Sequence, residues 1–276
     1  MIDEAAPPGH RRGLIAGLRR SGLLKWAVAG LLTLDLAVLL FVLSFANVTS
    51  EGTAKRALGH SLAILLEVDA LLDDRYESLR LEASQTEEES LTLPGLPLDV
   101  SFTPEEVLAG DREAFRALLL SRAADLVHEE GVGAMRTDDS DPALLSTQGA
   151  VADGMDFLRP TPHRVLSILT IALAAAAGVL ALALGLVSHG YGRVVALALS
   201  ALLAATPFLI LAVAVRFALR LAAESADDYL VREFVELAQE LMWAPIRNGM
   251  IFTLGAGLTL VAGSLLAVWS DARRRI

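Results

Sequence analysis

The chain has 276 residues and no cysteine; 54% of its residues are apolar and 20% are charged. A soluble domain is roughly 45–50% apolar with about a quarter of its residues charged. The apolar excess is concentrated in four long blocks, which excludes a single soluble domain, a disordered chain and a secreted disulfide scaffold. The formal net charge of −10 also argues against a nucleic-acid-binding protein. Composition therefore predicts a multi-pass membrane protein.

Each apolar block is long enough to form a membrane-spanning helix, which needs about 20 residues to cross roughly 30 Å of hydrocarbon. The first block exceeds the roughly 7–15 apolar residues of a cleaved signal, so we expect it to be an uncleaved anchor. Pro207 lies in the middle of the third block, where we expect it to kink the helix. The predicted spans are residues 23–46, 165–188, 193–216 and 250–270.

The charges between these blocks predict which side of the membrane each segment faces, because Lys and Arg concentrate on the cytoplasmic side. Residues 1–25 carry five basic and two acidic side chains, and three arginines lie in the last four residues. Residues 47–164, in contrast, carry 10 basic and 23 acidic side chains. We expect cytoplasmic segments at residues 1–22, 189–192 and 271–276, and extracytoplasmic segments at residues 47–164 and 217–249.

The larger extracytoplasmic segment is predicted to be mostly helical. Leucines at helical spacing favour a helix that continues out of the membrane from Thr49 to about Ser84. Thr103 and Asp111 are typical helix N-caps, and Gly131 is a typical left-handed helix end. Residues 96–102 are compatible with a strand, and the composition of residues 135–162 predicts a loop.

The smaller segment, residues 217–249, contains an amphipathic helix that we expect to end at Pro245. Three locations for its apolar face are open: packing on the larger segment, docking on a partner, or lying on the membrane surface. The acidic polar face disfavours the membrane surface, because interfacial helices usually carry Lys and Arg there. The apolar positions are Leu230, Phe234, Leu237 and Leu241.

Small residues recur at four-residue spacing in three of the spans, and such stripes let membrane helices approach closely. They predict a compact four-helix bundle with the helical domain between its first two helices. The stripes are Ala177, Ala181 and Gly185 in the second span, Ala196, Ser200 and Ala204 in the third, and Gly255, Thr259, Gly263 and Ala267 in the fourth.

Asp35 lies at the centre of the first span. A charged side chain there costs about 2.5–3.5 kcal/mol on insertion, so a carboxyl group at this depth is a functional hypothesis and is expected to be protonated. Thr206, Pro207 and Thr259 are predicted at similar depth. Three roles are open: a hydrogen bond to Thr206 or Thr259 that locks the bundle, docking to another membrane subunit, or a proton or ion site.

Signatures of catalysis and metal binding were not found in the sequence. There is no thiol nucleophile, no HExxH pair, no phosphate-binding glycine loop and no nucleophile elbow. His128 with Glu129 and Glu130, and the acidic cluster around Asp69 and Asp73, fit solvated helix surfaces better than metal sites. We therefore predict a protein that is not an enzyme, with no cofactor and no metal.

The order of segments resembles two known topologies. The chain has a helix, a large outer domain, two helices joined by a short turn, a small outer segment and a last helix. This order is similar to that of membrane subunits of the FtsX type, and the resemblance implies mechanical transmission to an outer domain. The order also resembles claudin-like tetraspans. Both are resemblances of layout alone and include no shared motif.

The leading functional expectation is a non-enzymatic protein of a prokaryotic plasma membrane whose outer helical domain acts as an interaction or sensing module. Its expected partners are the lipid bilayer and either another protein or further copies of itself. The alternative is a subunit of a transport or mechanotransmission complex with Asp35 in a gate or proton site. Arginine greatly outnumbers lysine, which fits a prokaryote of high genomic GC content.

Overall fold

The computed structural model describes residues 9–86, 89–131, 157–188, 190–226 and 229–274, and these residues are almost entirely helical. One pair of very short strands accompanies the helices. The helices are α1 (Gly9–Val48), α2 (Glu51–Leu65), α3 (Val68–Gln85), α4 (Pro104–Ala109), α5 (Arg112–Glu130), α6 (Pro160–Val187), α7 (Gly192–Ser225), α8 (Tyr229–Leu241) and α9 (Trp243–Arg274), and the strands are β1 (Leu91–Thr92) and β2 (Ser101–Phe102).

Four helical stretches are long and apolar enough to cross a membrane, which confirms the prediction of an all-α membrane-embedded protein. Their bounds are Gly22–Val48, Pro160–Val187, Gly192–Ser225 and Val231–Ser270. The helices extend beyond the predicted apolar windows, because helical hydrogen bonding continues into polar flanks that hydropathy excludes. In particular, α6 begins at Pro160, inside the predicted loop, while residues 135–156 of that loop lie outside the described residues.

The chain divides into two compact units. The membrane unit comprises Met1–Leu43, Leu169–Val213 and Pro245–Ile276. The head unit comprises Ser44–Ile168 and Ala214–Ala244. Each unit therefore combines segments that are far apart in the sequence.

The predicted single helix from Thr49 to Ser84 is wrong, since two helices, α2 and α3, occupy this stretch. They are separated at Glu67, whose φ of 44° is in the left-handed region. A non-glycine residue there is strained, so the surrounding packing must favour the break. After the break, Val68 and Leu72 of α3 are buried in the same core as Leu58 of α2.

The predicted helix starts in the head unit are confirmed. Thr103 and Glu106 form a reciprocal capping box: the Thr103 N–H donates to Glu106 Oε2 at 2.9 Å, and the Glu106 N–H donates to Thr103 Oγ1 at 3.3 Å. The Asp111 carboxylate accepts from the Ala114 N–H at 2.9 Å. Gly131 follows α5 with a φ of 81°, which favours glycine, although its ψ of −169° differs from that of the predicted left-handed cap.

The predicted strand at residues 96–102 is correct only for its last two residues. β2 pairs antiparallel with β1, and Phe102 lies opposite Leu91. Phe102 is fully buried, and its ring centroid lies 4.8 Å from that of Phe115. This short pairing fixes an aromatic side chain in the centre of the head core.

The apolar face of α8 packs on the head core, which is the first of the three locations open from the sequence. Leu237 is buried there, with Phe234 and Leu241 packed beside it. Pro245 does not end this helix as expected: α8 ends at Leu241, and Pro245 lies in the first turn of α9. Proline is tolerated there because the first-turn N–H groups have no intrahelical partner.

The membrane unit packs through buried residues that recur every seven positions. A seven-residue step drifts by only about 20° around a helix, so each repeat stays on one face. This spacing is typical of membrane helices that cross at shallow left-handed angles. The repeats are Leu32 and Leu39 in α1, Ala177 and Leu184 in α6, Ala198, Ala205 and Ala212 in α7, and Gly249, Ala256 and Gly263 in α9.

Candidate functional site

Asp35 lies in the middle of α1, close to the packed face of that helix. Leu32 and Leu39, on the same side of the helix, are buried against Ala177 and Leu184 of α6. The Asp35 side chain is half-buried, and its Oδ2 atom is buried with no hydrogen-bond partner among the described residues. A carboxyl oxygen thus sits in apolar surroundings without the bond that would offset its desolvation.

The hydroxyl groups proposed as partners of Asp35 do not bond to this oxygen. Thr259 is exposed and donates to the Gly255 carbonyl in its own helix at 2.8 Å. Thr206 is half-buried, and α7 continues through the exposed Pro207 from Gly192 to Ser225. The three polar candidates on α7 and α9 are therefore not joined to Asp35 Oδ2, and the predicted kink at Pro207 stays a prediction.

The predicted stripes on α6 and α7 lie partly at helix contacts. Ala177 is buried, and Ala181 and Ala196 pack in the same cluster. Gly185 is half-buried, and a Cβ added to it would meet nothing within 4 Å. Ser200 and Ala204 are buried, and the Ser200 hydroxyl donates to the Ala29 carbonyl of α1 at 3.5 Å.

The predicted stripe on α9 does not stay on one face. Gly255 and Thr259 are exposed, Ala267 is half-buried, and only Gly263 is buried. A Cβ added to Gly263 would lie 3.1 Å from Cγ1 of Val194, whereas one added to Gly255 would meet nothing within 4 Å. A four-residue step rotates by about 40°, so such a stripe leaves the contact face within two steps.

Sequence reasoning missed Gly249, where α9 approaches the backbone of α7 closely. A Cβ built on it would lie 3.1 Å from the Leu209 Cβ and 3.3 Å from the Leu209 Cα. Counting seven-residue spacing instead of four would have found it, because Gly249, Ala256 and Gly263 are separated by seven residues.

Two acidic side chains of α3 form ion pairs with arginines of α5 inside the head unit. Arg116 forms a forked pair with Asp69, at 2.6 Å from Nε to Oδ1 and 3.1 Å from Nη2 to Oδ2. Arg112 pairs with Asp73 at 2.8 Å. The hydrogen bond from Arg116 lowers the pKa of Asp69 below its ordinary value of 3.8. Matching four-residue spacings of acids on α3 and arginines on α5 thus dock one helix on the other.

Other titratable groups in the head unit are also tied to structure. The Thr103 backbone N–H, with Arg122 nearby, lowers the pKa of Glu106. Lys55 bridges Glu51 and Asp125, each at 2.8 Å. His128 is buried, and its Nδ1 atom has no partner in the part of the chain that the structure describes. No group of three or more His, Asp or Glu side chains among the described residues could hold a metal ion.

No protein-family model, curated protein or solved structure matches this chain. A functional assignment therefore depends on the arrangement of its own residues.

Proposed function

We propose that this chain is a non-enzymatic membrane protein of a prokaryotic plasma membrane whose head unit is an extracytoplasmic interaction or sensing module. In this proposal the four apolar helices anchor the head as a bundle, and both termini face the cytoplasm. The partner is another protein or a further copy of this chain.

The observation that carries the proposal is that two separate polar segments build one core. Leu237 of α8 packs with residues of α2, α3 and α5, although two spans separate them in the sequence. A shared core requires both segments to lie on the same side of the membrane. The lysines and arginines concentrated in residues 1–25 and 271–276 favour the cytoplasm for the termini, and therefore the extracytoplasmic side for both segments.

The packed core and the interhelical ion pairs of the head unit also support a role in recognition. Its core contains fully buried Phe102 and Phe115, and its ion pairs fix α3 against α5. A rigid unit of this kind can present a constant surface to a partner. Leu81 of α3 is 60% exposed, so a probe placed there lies on the surface of the head unit.

A photo-crosslinking amino acid at Leu81 tests this role in living cells. We expect one discrete protein adduct, identified by mass spectrometry of the purified product. The matched control places the same probe at Leu258, a 73% exposed residue of the apolar α9 helix, where we expect lipid adducts only. Discrete protein adducts at Leu258 and none at Leu81 would contradict an interaction role for the head.

The second candidate, a transport or mechanotransmission subunit, is favoured by one observation. Asp35 has a buried carboxyl oxygen with no hydrogen-bond partner among the residues that the structure describes, and intramembrane acids often carry protons or ions. Proton flux into proteoliposomes that contain the purified protein tests this candidate. Flux that Asp35→Asn abolishes, while folding is retained, would favour it over the leading proposal.

A further inference from the structure

A long apolar groove runs between α1 and α7 within the membrane unit. It encloses about 800 Å³, within the roughly 300–1,000 Å³ usual for small-molecule sites. On α1 the lining runs from Lys25 to Phe41, and on α7 from Gly192 to Leu211. At 1.5 Å per residue, the α1 wall is about 24 Å long, which is most of the depth of a bilayer's hydrocarbon core.

The walls of the groove are apolar, and their few hydroxyl groups are already bonded. Thr33 donates to the Ala29 carbonyl at 2.9 Å, and Ser200 donates to the same carbonyl at 3.5 Å. Trp26 lies beside Lys25 at one end of the groove and is 73% exposed. A ligand in the groove would thus meet hydrocarbon and aromatic surface along its length.

The charge in the groove is confined to one end. Lys25 is the one ionisable side chain among the lining residues, and no described acidic side chain forms an ion pair with it. An ammonium group at the end of an apolar groove complements a molecule with an anionic head and a hydrocarbon chain. Within a bilayer, an anionic phospholipid has this chemistry.

We propose that the groove between α1 and α7 binds an anionic phospholipid, with its phosphate at Lys25 and an acyl chain along Gly30, Ala37 and Leu203. Lysine near the membrane surface attracts anionic lipids, and the groove adds a fixed path for the chain. This inference does not depend on the proposed role of the head unit.

The fluorescence of Trp26 can report binding of the lipid acyl chain directly, because the protein has only three tryptophans. Replacing Trp243 and Trp269 by Phe leaves Trp26 as the single indole of the full-length protein. The protein is placed in nanodiscs of unlabelled phosphatidylcholine. Two titrations then add increasing fractions of a brominated lipid, either phosphatidylglycerol or phosphatidylcholine. Each brominated lipid carries bromine on its acyl chain near the carbonyl. We expect brominated phosphatidylglycerol to quench Trp26 at about a fivefold lower fraction than brominated phosphatidylcholine.

Substitutions distinguish lipid binding in the groove from a general attraction of anionic lipid to surface charge. Lys25→Gln should remove the preference for phosphatidylglycerol, and Ala37→Phe should reduce it by filling the groove. Arg193→Gln is the matched control, because it removes the same charge next to Gly192 at a residue that does not line the groove. Retention of the preference in Arg193→Gln, with normal elution of all variants, would support the proposal.

Three outcomes would overturn it. Equal quenching by both brominated lipids would exclude selective binding. A preference that persists in Lys25→Gln, or disappears equally in Arg193→Gln, would assign the effect to surface charge in general. If Trp26 is shielded from both lipids and Ala37→Phe converts a dimer to a monomer, the groove is occupied by a second copy instead.

Discussion

At the residue scale, Asp35 is the clearest conflict between a side chain and its surroundings. Its Oδ2 atom is buried with no hydrogen-bond partner in the described part of the chain. Leu32 and Leu39, on either side of it along α1, are buried in the helix contact. An unsatisfied buried polar group costs about 1–3 kcal/mol, so a residue kept for stability alone would not be an acid.

Two substitutions separate stability from function at Asp35. Asp35→Leu should stabilise the full-length protein in detergent by about 1–3 kcal/mol, because it removes an unpaired polar group. Asp35→Asn should leave the melting temperature nearly unchanged, because an amide and a neutral acid have similar polarity and size. A large loss of stability in both variants would show that the acid has a bonding partner that stabilises the fold, such as another subunit.

Gly249 provides a second test at the residue scale. Gly249→Val should destabilise the protein by about 1–3 kcal/mol, because its Cβ would meet the Leu209 side chain and backbone at 3.1–3.3 Å. Gly255→Val is the matched control in the same helix, with nothing within 4 Å of its Cβ. Thermal unfolding in detergent measures both variants, and equal losses would contradict the assigned contact.

At the element scale, the break between α2 and α3 is encoded by tertiary packing rather than by local sequence. Glu67→Gly should stabilise the head unit by about 1 kcal/mol, because glycine adopts a φ of 44° without strain. Glu82→Gly, within α3, should instead destabilise it by about 1 kcal/mol. If both glycine variants lower the melting temperature equally, Glu67 is not strained.

The helices that hydropathy and capping specify could be predicted from the sequence. Short-range sequence patterns determine these features, and the structure contains them. They are the four spans, the caps at Thr103 and Asp111, and the apolar face of α8. The break at Glu67 could not be predicted, since an uninterrupted helical pattern runs through it.

The candidate site was only partly predictable, because its contacts are between distant segments. Hydropathy alone identifies Asp35 as the charged residue at the centre of the first span. That its Oδ2 atom has no partner within the described ranges depends on which helices surround it. The stripe that includes Gly255 and Thr259 was inferred from four-residue spacing, whereas burial in α9 follows seven-residue spacing through Gly249 and Gly263. The groove at Lys25 has no sequence signature, since it needs α1 and α7 side by side.

At the scale of the whole molecule, the carboxylates of the head unit should make its stability dependent on pH. Hydrogen bonds lower the pKa values of Asp69 and Glu106 in the folded protein. A lowered folded pKa contributes stability above the unfolded pKa, and this stability is lost as pH falls through the folded value. The melting temperature should therefore be constant near neutral pH and fall below about pH 4.5.

Asp69→Asn tests the contribution of one of these carboxylates to the pH dependence of stability. It should lower stability at pH 7 by about 0.5 kcal/mol, because the Asp69–Arg116 pair is partly exposed and screened. It should also make the melting temperature fall less steeply as the pH is lowered below about 4.5. If the melting temperature of Asp69→Asn falls at acid pH as steeply as that of the unsubstituted protein, other carboxylates cause the pH dependence.

The most direct test of the account is the side of the membrane on which each polar segment lies. The chain has no cysteine, so single cysteines at Ser90 and Tyr191 can be introduced without background labelling. Both positions are exposed, which makes them accessible to a membrane-impermeant maleimide. We expect labelling of Ser90→Cys in intact cells and of Tyr191→Cys only after permeabilisation. Labelling of Tyr191→Cys in intact cells, with Ser90→Cys protected, would invert the topology and contradict the extracytoplasmic head.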